Sequence, residues 1–275
     1  MPKFSVLMSA YAGDDPAHLE RALVSVSRDQ QLAPDQIVLV QDGPVPADLA
    51  AVIDRAAEIC APVPVTPVPL PDNRGLALAL RAGMRACEHD VIARADADDI
   101  CLPERFARQI PLMEDLDLLG SAIAEFHDDA AAPGLVRALP ETAAEIRAIL
   151  PLRDPFNHPS VVLRASAAAQ AGGYDNLTCM EDYWLFARMV HAGARVANLP
   201  DVLVLYRVGD GAYHRRGGWR MLRGEWQLQR AMRQAGMTTP VQYVRNLVVR
   251  GGYRLIPAWV RRPLYRVAMR TRWKR

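Results

Sequence analysis

Cysteine is scarce in this 275-residue sequence, and none of its four cysteines stands in the C-x-x-C spacing that thiolate zinc sites use. Scattered thiols favour a reducing compartment. The sequence also lacks any run of about 18 uncharged apolar residues, so no helix is predicted to span a membrane. The apolar stretch 1–13 is too short and too weakly basic for a signal peptide, and we expect a buried strand there.

Charge is unevenly distributed along the chain. The formal net charge is only +2, yet residues 240–275 hold ten Arg or Lys and no Asp or Glu. The rest of the chain carries 23 basic and 31 acidic side chains. With 51% hydrophobic residues the chain can bury a sizeable core. The sequence therefore predicts an acidic globular domain, residues 1–238, and a basic tail, residues 239–275.

Short apolar runs alternate with helical patterns in the first half of the chain. The predicted buried strands are FSVLMSA (4–10), QIVLVQD (36–42) and DVIARAD (90–96). The predicted helices cover 17–30, 46–59 and 75–87. This alternation predicts an α/β fold with a mostly parallel, doubly wound sheet and helices on both faces. The segment 63–70 has three prolines, so it is expected at a sheet edge or as irregular chain.

The second half of the chain has a less regular pattern. Three further runs look like strands, at 118–126, 158–164 and 202–208. Two segments with helical spacing follow the same region, at 180–193 and 218–236.

Polar and glycine residues collect where the predicted parallel strands end. They are Ser9, Ala10 and Tyr11, then Gln41, Asp42 and Gly43, then Asn73, Arg74 and Gly75, and finally Asp96 to Asp99. Ligands of doubly wound sheets bind at the carboxyl ends of the strands. These residues are therefore the first candidates for a binding site.

The pair Asp96 and Asp98 is the strongest candidate for a metal site. Residues two apart in an extended strand point to the same side, so both carboxylates can reach one hard cation. Oxygen ligands suit Mg²⁺ or Mn²⁺, which commonly share coordination with a substrate diphosphate. The alternative is a solvated acidic turn, with Asp99 favouring the N-terminus of the helix that follows.

Two further acids have both a functional and a plain interpretation. Asp182, with Glu181, opens a predicted helix, where it could be a general base or simply favour the helix dipole. Asp42 could accept hydrogen bonds from a nucleobase or ribose, or could belong to an ordinary Asp-Gly-Pro turn.

Basic residues give weaker signals. Arg215 and Arg216 could hold diphosphate oxygens, although solvated basic loops are more common. His158 stands alone in FNHPS and is more typical of a structural histidine.

The tail combines basic and aromatic residues at helical spacing. Arg262, Arg266, Arg270 and Lys274 recur every four residues, and Trp259, Tyr265 and Trp273 lie between and beside them. This pattern predicts a helix on an anionic membrane surface. A nucleic-acid partner is disfavoured, because the body is acidic and carries no nucleic-acid-binding motif.

Taken in order, five motifs resemble glycosyltransferase family 2, the inverting sugar transferases of GT-A fold. They are SVLMSAY, VLVQDGP, NRGLALALRAG, ARADADDICLPERFARQ and the pair GGYD and MEDYWLFARM. The likeness covers about residues 3–235. FNHPSVVLR and YRVGDGAYHRRGGW bring it closer to exopolysaccharide transferases of the amylovoran-biosynthesis type.

The resemblance implies roles for single residues. Asp98 would lie nearest the metal, Asp96 would contact both the metal and the ribose, Asp42 would contact the nucleoside, and Asp182 would be the catalytic base. The remaining nucleotide-binding residues that it implies are Ser9, Ala10, Tyr11, Asn73, Arg74 and Gly75. Beyond the roles that the resemblance implies, Glu181, His158, Arg215 and Arg216 are weaker candidates for contacts of the acceptor or its diphosphate. The chain departs from the family's frequent pattern in having Gln41 before Asp42 and Phe186 in place of a tryptophan.

The resemblance also implies an activity and a place for it. The activity is transfer of a sugar, dependent on Mn²⁺ or Mg²⁺, from a nucleotide-diphosphate sugar, with a UDP-sugar favoured, to a lipid-linked saccharide acceptor. The enzyme would be cytoplasmic and peripherally bound to the inner face of the membrane. Two alternatives stay open: a nucleotidyltransferase that makes sugar nucleotides, and a non-catalytic scaffold docked on the membrane. SAYAGDDP lacks the Gly-rich basic loop that the first would need, and retention of every acid disfavours the second.

Overall fold

The computed structural model describes residues 1–127, 129–209 and 218–256. The strands are β1 Phe4–Tyr11, β2 Gln36–Asp42, β3 Val65–Leu70, β4 Val91–Asp96, β5 Ile100–Cys101, β6 Leu118–Phe126, β7 Val136–Arg137, β8 Val162–Arg164 and β9 Val196–Arg207. The helices are α1 Pro16–Val26, α2 Ala47–Asp54, α3 Ala56–Cys60, α4 Leu76–Ala86, α5 Arg105–Gln109, α6 Ala143–Ile149, α7 Ala165–Gln170, α8 Glu181–His191, α9 Trp219–Gln234, α10 Pro240–Asn246 and α11 Gly252–Leu255.

One sheet contains all these strands, in the order β3-β2-β1-β4-β8-β6-β9-β5, with β7 added on β6. Strands β1 to β4 pair in parallel, as do β6 and β9, whereas β8 runs antiparallel between β4 and β6. The predicted α/β fold, with a mostly parallel sheet and helices on both faces, is confirmed. The central position of β1 sets Ser9 opposite Asp96 and Tyr11 opposite Asp42, which brings the predicted strand ends together.

Alternate residues of β1 and β2 enter two cores on opposite faces of the sheet. Met8 and Leu39 belong to the core under α1 to α3, while Leu7 and Val40 belong to the core under α4 and α8. A Cβ added to Gly83 of α4 would lie 2.3 Å from Leu7 Cδ1. Only glycine allows α4 to approach the sheet this closely, and α4 carries the loop 73–75 that precedes it.

Several predicted elements differ in extent from the observed ones. The helix predicted over 46–59 is two helices, separated at Arg55. The strand predicted over 158–164 begins as a 3₁₀ helix, His158–Ser160, and only Val162–Arg164 is strand. Pro159 accounts for this, because it cannot donate a ladder hydrogen bond. The strand predicted over 202–208 already begins at Val196. The segment 63–70 forms the edge strand β3, as expected.

The C-terminal segment packs on α9 through polar side chains. The π-helix Leu247–Gly251 joins α10 to α11, and Asn246, which is fully buried, donates to Gln229 Oε1 at 3.0 Å. Residues 240–256 of the predicted tail are therefore folded against the body. Its basic and aromatic residues Trp259, Arg262, Tyr265, Arg266, Arg270, Trp273 and Lys274 lie outside the described residues. Within the described ranges, no helix is long and apolar enough to cross a membrane.

Candidate active site

The carboxyl ends of β1, β2 and β4 border a cavity of about 700 Å³. Its walls include most of the predicted nucleotide and metal residues, namely Ser9, Tyr11, Asp42, Asn73, Gly75, Asp96 and Asp98. Two predicted residues do not line it. Ala10 is 1% exposed and belongs to the core, and Arg74 contributes a backbone N–H to Asp42. We name this space the β-end cavity.

Asp42 organises the loop that precedes α4. It is buried, and its Oδ1 and Oδ2 accept hydrogen bonds from the backbone N–H groups of Arg74 at 2.7 Å and Gly75 at 2.9 Å. The Asn73 side chain donates to the Asp42 carbonyl at 3.3 Å. A Cβ on Gly43 would lie 2.4 Å from the Asn73 nitrogen, so the turn after β2 and this loop touch backbone to backbone. This carboxylate thus holds one wall of the β-end cavity in place.

Asp96 ends β4 above a buried cation. The Arg94 guanidinium, on the same strand, donates to Asp96 Oδ1, and only 2% of the Arg94 side chain is exposed. Burial opposes the charge of Arg94, but the charge of Asp96, its hydrogen bond to Arg94 and the charge of Asp99 contribute to a net rise in the pKa of the guanidinium. Sequence reasoning missed Arg94; the signal was a charged residue in the otherwise apolar run VIARA.

Asp99 does not stabilise a helix N-terminus, so that interpretation was wrong. The next α-helix, α5, begins only at Arg105, and Asp99 Oδ1 instead accepts from the backbone N–H of Arg207 at 2.8 Å. Arg207 Nε also donates to the Asp98 carbonyl at 3.0 Å. Arg207, at the end of β9, therefore holds the acidic turn that follows β4 through these two hydrogen bonds. Burial, then the charges of Asp96 and Asp98, raise the pKa of Asp99 well above its usual range.

Asp14 is a fourth acid of this cluster that sequence reasoning did not find. It lines the β-end cavity and accepts from the Tyr11 backbone N–H at 2.9 Å. Burial, together with the charges of Asp98 and Asp96, raises the pKa of Asp14 to about 6. The signal in the sequence was the acid pair in YAGDDP, which the turn after β1 aims back towards the strand ends.

Excess negative charge makes this cluster suitable for a divalent cation. Among the described residues, the cations near Asp14, Asp96, Asp98 and Asp99 include the guanidinium groups of Arg94 and Arg207, and Arg220 also lines the cavity. Burial and Asp96 raise the pKa of Asp98, as expected for a carboxylate crowded by like charge. In the described part of the chain, no three His, Cys, Asp or Glu side chains are arranged to hold a metal. Mg²⁺ in nucleotide sites is usually held by one or two carboxylates plus substrate phosphates, so Asp96 and Asp98 fit such an ion.

A second cavity, of about 410 Å³, adjoins the first. Leu76 and Asp96 line both, and the second cavity also contains Glu181, Asp182 and His158. Five further residues with charged side chains line it, which are Arg137, Arg153, Asp154, Arg250 and Arg254. We name it the Asp182 cavity. The two predicted carboxylate sites thus line neighbouring cavities although Asp182 follows Asp96 by 86 positions in the chain.

Glu181 and Asp182 form the first turn of α8, where both favour the helix dipole. Asp182 Oδ1 accepts from the N–H of Tyr183 at 2.7 Å, and Oδ2 takes no part in this hydrogen bond. Burial, and then the charge of Asp182, raise the pKa of Glu181 to about 7. At neutral pH Glu181 therefore keeps a proton in part of the molecules.

His158 lies behind Asp182. Its Nδ1 is 3.9 Å from Asp182 Oδ2, and its Nε2 is 2.8 Å from the hydroxyl of Tyr174. Burial, together with the charge of Arg94, lowers the pKa of His158 to about 4, and burial raises that of Tyr174. Both side chains are therefore neutral at physiological pH. Tyr174 belongs to the GGYD motif, but sequence reasoning gave it no role.

Asp154 is a further acid that sequence reasoning missed. Its Oδ1 accepts from the N–H of Phe156 at 3.0 Å. Burial and the charge of Asp182 raise its pKa well above the usual range. Arg215 and Arg216, the predicted diphosphate contacts, lie outside the described residues.

The family model for glycosyl transferase family 2 matches residues 5–160. The amylovoran biosynthesis glycosyltransferase AmsE of Erwinia amylovora is 41% identical over 268 residues, which cover 95% of this chain and 97% of that protein. The UDP-Gal:alpha-D-GlcNAc-diphosphoundecaprenol beta-1,3-galactosyltransferase of Escherichia coli is 32% identical over 98% of this chain and 97% of its own length.

Two solved structures are similar in fold. The mannosyltransferase PcManGT of Pyrobaculum calidifontis, in complex with GDP-Man and Mn²⁺, has a TM-score of 0.64 at 16% identity, over 100% of this chain and 76% of its own. TarS 1–349 of S. aureus, in complex with UDP-GlcNAc, has a TM-score of 0.63 at 15% identity, over 90% and 70%. At these identities the likeness concerns the fold alone, which is the predicted GT-A fold.

Proposed function

Since the chain belongs to glycosyl transferase family 2, we propose that it is a metal-dependent, inverting glycosyltransferase. It moves a sugar from a nucleotide-diphosphate sugar to a lipid-linked saccharide acceptor in exopolysaccharide or cell-surface glycan synthesis. One observation carries the proposal. The β-end cavity, with its acids and strand-end loops, shares Leu76 and Asp96 with the cavity that contains Asp182.

The donor occupies the β-end cavity in this proposal. Ser9, Tyr11, Asn73 and Gly75 line the space for the nucleoside, and Asp42 holds the loop 73–75 through its two backbone hydrogen bonds. A UDP-sugar is favoured, because the related E. coli enzyme is named for UDP-Gal.

Asp96 and Asp98 would hold Mn²⁺ or Mg²⁺ beside the donor diphosphate. Such an ion neutralises the negative charge that develops on a leaving nucleoside diphosphate. Arg94 fixes the orientation of Asp96 from below, and Arg207 fixes the backbone at Asp98. Asp14 adds a carboxylate to the same cavity and increases its preference for a cation.

Asp182 is the catalytic base in this proposal. It takes the proton of an acceptor hydroxyl while that oxygen bonds to the anomeric carbon. The bond between this carbon and the diphosphate oxygen breaks on the opposite side, and the diphosphate leaves with the electron pair. Attack opposite the leaving group inverts the anomeric centre. Neutral His158, held by Tyr174, lies behind the base.

The acceptor enters through the Asp182 cavity in this proposal. Arginine is suited to diphosphate oxygens, and Arg250 and Arg254 line this cavity. Two relatives support the acceptor class by their names, since one acts on a diphosphoundecaprenol-linked sugar and the other serves amylovoran biosynthesis. The enzyme is then cytoplasmic and peripheral at the inner face of the membrane, with residues 239–275 as its basic contact.

A donor panel tests this function directly. Purified full-length protein is mixed with membrane lipid extract, Mn²⁺ and one labelled UDP-, GDP- or dTDP-sugar at a time. We expect one donor to transfer label to lipid in a Mn²⁺-dependent reaction that releases the nucleoside diphosphate. A parallel mixture contains a nucleoside triphosphate and a sugar phosphate in place of the sugar nucleotide, and release of pyrophosphate from it would instead identify a nucleotidyltransferase. No turnover with any donor, despite membrane binding, would favour the scaffold.

A further inference from the structure

The C-terminal helices have an inverted distribution of polarity. Their buried face is polar: Asn246 bonds to Gln229, and Arg250 donates to Glu225 from Nε at 2.5 Å and from Nη2 at 2.9 Å. Their outer face is apolar, with exposed fractions of 52–78% for the side chains Val241, Val244, Val248, Val249 and Leu255. A helix normally buries its apolar side, so this arrangement needs a partner.

The exposed apolar residues are concentrated in this region. Eleven large apolar side chains are exposed within the described ranges, and seven of them lie between Trp219 and Leu255. Val241 and Val244 lie about 60° apart on α10 at the α-helical spacing of 100° per residue, Val248 and Val249 follow in the π-helix, and Leu255 lies in α11. We name these five exposed residues the valine face.

The charge of the same segment is almost purely positive. Residues 218–256 contain seven arginines and one acid, Glu225, which is fully buried and bound to Arg250 and Arg254. The sequence after Ile256 adds seven Arg or Lys and no acid. An exposed apolar face on a segment rich in arginine is complementary to an anionic lipid surface. In a symmetric dimer through this face, the same cations of two copies would confront each other.

We propose that the valine face is a docking surface for an anionic lipid bilayer. This surface would be the part of the folded protein that contacts the membrane. The proposal rests on the proposed function only in one respect, which is that the acceptor of the enzyme is a membrane lipid. Arg250 and Arg254 lie on the buried side of the same helices and line the Asp182 cavity. The segment therefore lies between the lipid contact and the acceptor site, which suits an acceptor anchored in lipid.

A vesicle-binding experiment with matched variants tests the docking surface. The full chain is co-sedimented with phosphatidylcholine vesicles, with and without phosphatidylglycerol, as wild type, as the double variant Val244→Ser and Val248→Ser, and as Leu112→Ser. Leu112 is 42% exposed on the 3₁₀ helix Ile110–Glu114, outside this segment. We expect binding that requires phosphatidylglycerol, a partition coefficient about tenfold lower for the double variant, and no change for Leu112→Ser.

Three results would overturn the proposal. Absence of vesicle binding by the wild type is the first. Equal binding by the double variant is the second, because residues 257–275 would then suffice. The third is loss of self-association in the double variant with unchanged vesicle binding, which would make a second copy the occupant. Transfer to a short-chain, water-soluble acceptor is measured in parallel; if all variants lack it, the proposed function fails while the vesicle result still decides the docking surface.

Discussion

His158 Nδ1 lies 3.9 Å from Oδ2 of Asp182, across the wall of the second cavity. The distance exceeds that of a hydrogen bond, and burial lowers the pKa of His158 to about 4, so the contact is not an ion pair at physiological pH. The other ring nitrogen is 2.8 Å from the Tyr174 hydroxyl, which fixes the ring. His158 and Tyr174 therefore act on the proposed base by limiting where its carboxylate can turn.

Tyr174→Phe should lower kcat about fivefold and leave the donor KM little changed. The variant keeps the ring and removes the hydroxyl that holds His158. Loss of this hydrogen bond should raise the activation free energy by about 1 kcal/mol, because the base is then less well oriented. Steady-state kinetics with saturating acceptor measure the effect.

Tyr183→Phe is the matched control for this variant. Its hydroxyl is also buried and donates to the Leu150 carbonyl, so it should lose similar stability without the loss of kcat. Equal kcat losses in both variants would show that Tyr174 acts only through the fold.

Asp182→Asn should reduce transfer by 10²–10⁴-fold, roughly the contribution of a general base, and preserve donor binding. The amide keeps the shape of the side chain and can still accept from the Tyr183 N–H. Product formation and donor titration calorimetry separate the two effects. Asp201→Asn, which breaks an exposed pair with Arg108, is the control. A parallel loss of donor affinity in Asp182→Asn would contradict its assignment as the base.

Much of the sheet could be predicted because its strands carry strong local signals. QIVLVQD and DVIARAD are apolar, short and bounded by polar turns, and both are strands at the predicted positions. The meeting of these strand ends followed from the general rule for parallel sheets. The start of β9 was missed because Asn198, Pro200 and Asp201 interrupt the apolar pattern.

The partners of the acids could not be predicted, because they come from distant parts of the chain. Asp99 binds the backbone of Arg207, which is 108 residues away. Nothing in the local sequence indicates that the Tyr174 hydroxyl lies 2.8 Å from His158 Nε2. Sequence spacing finds carboxylates that lie two residues apart, but it does not indicate which loop folds over them.

Asp98→Asn should remove the part of donor affinity that depends on metal. With the charge gone, binding of the donor in Mn²⁺ should fall to the level seen without metal, while metal-free binding stays as in the wild type. Fluorescence titration of a labelled nucleotide, with and without Mn²⁺, measures both. Asp115→Asn, at an exposed site, is the control. Donor affinity in Asp98→Asn that still responds to Mn²⁺ as in the wild type would refute the metal role.

Glu181→Gln should raise the free energy of unfolding of the metal-free protein relative to wild type, and this gain should be larger at pH 8 than at pH 4.5. Burial and Asp182 raise the pKa of Glu181 from 4.5 to about 7, so the folded state binds more protons than the unfolded state between these values. Stability due to this group therefore falls as pH rises through that window, and glutamine removes the loss. The difference should be about 1–3 kcal/mol. Urea unfolding at both pH values measures this difference, with Glu20→Gln on α1 as the control. If the effect of Glu181→Gln on stability does not change with pH, Glu181 stays ionised at neutral pH. It could then compete with Asp182 for the role of base.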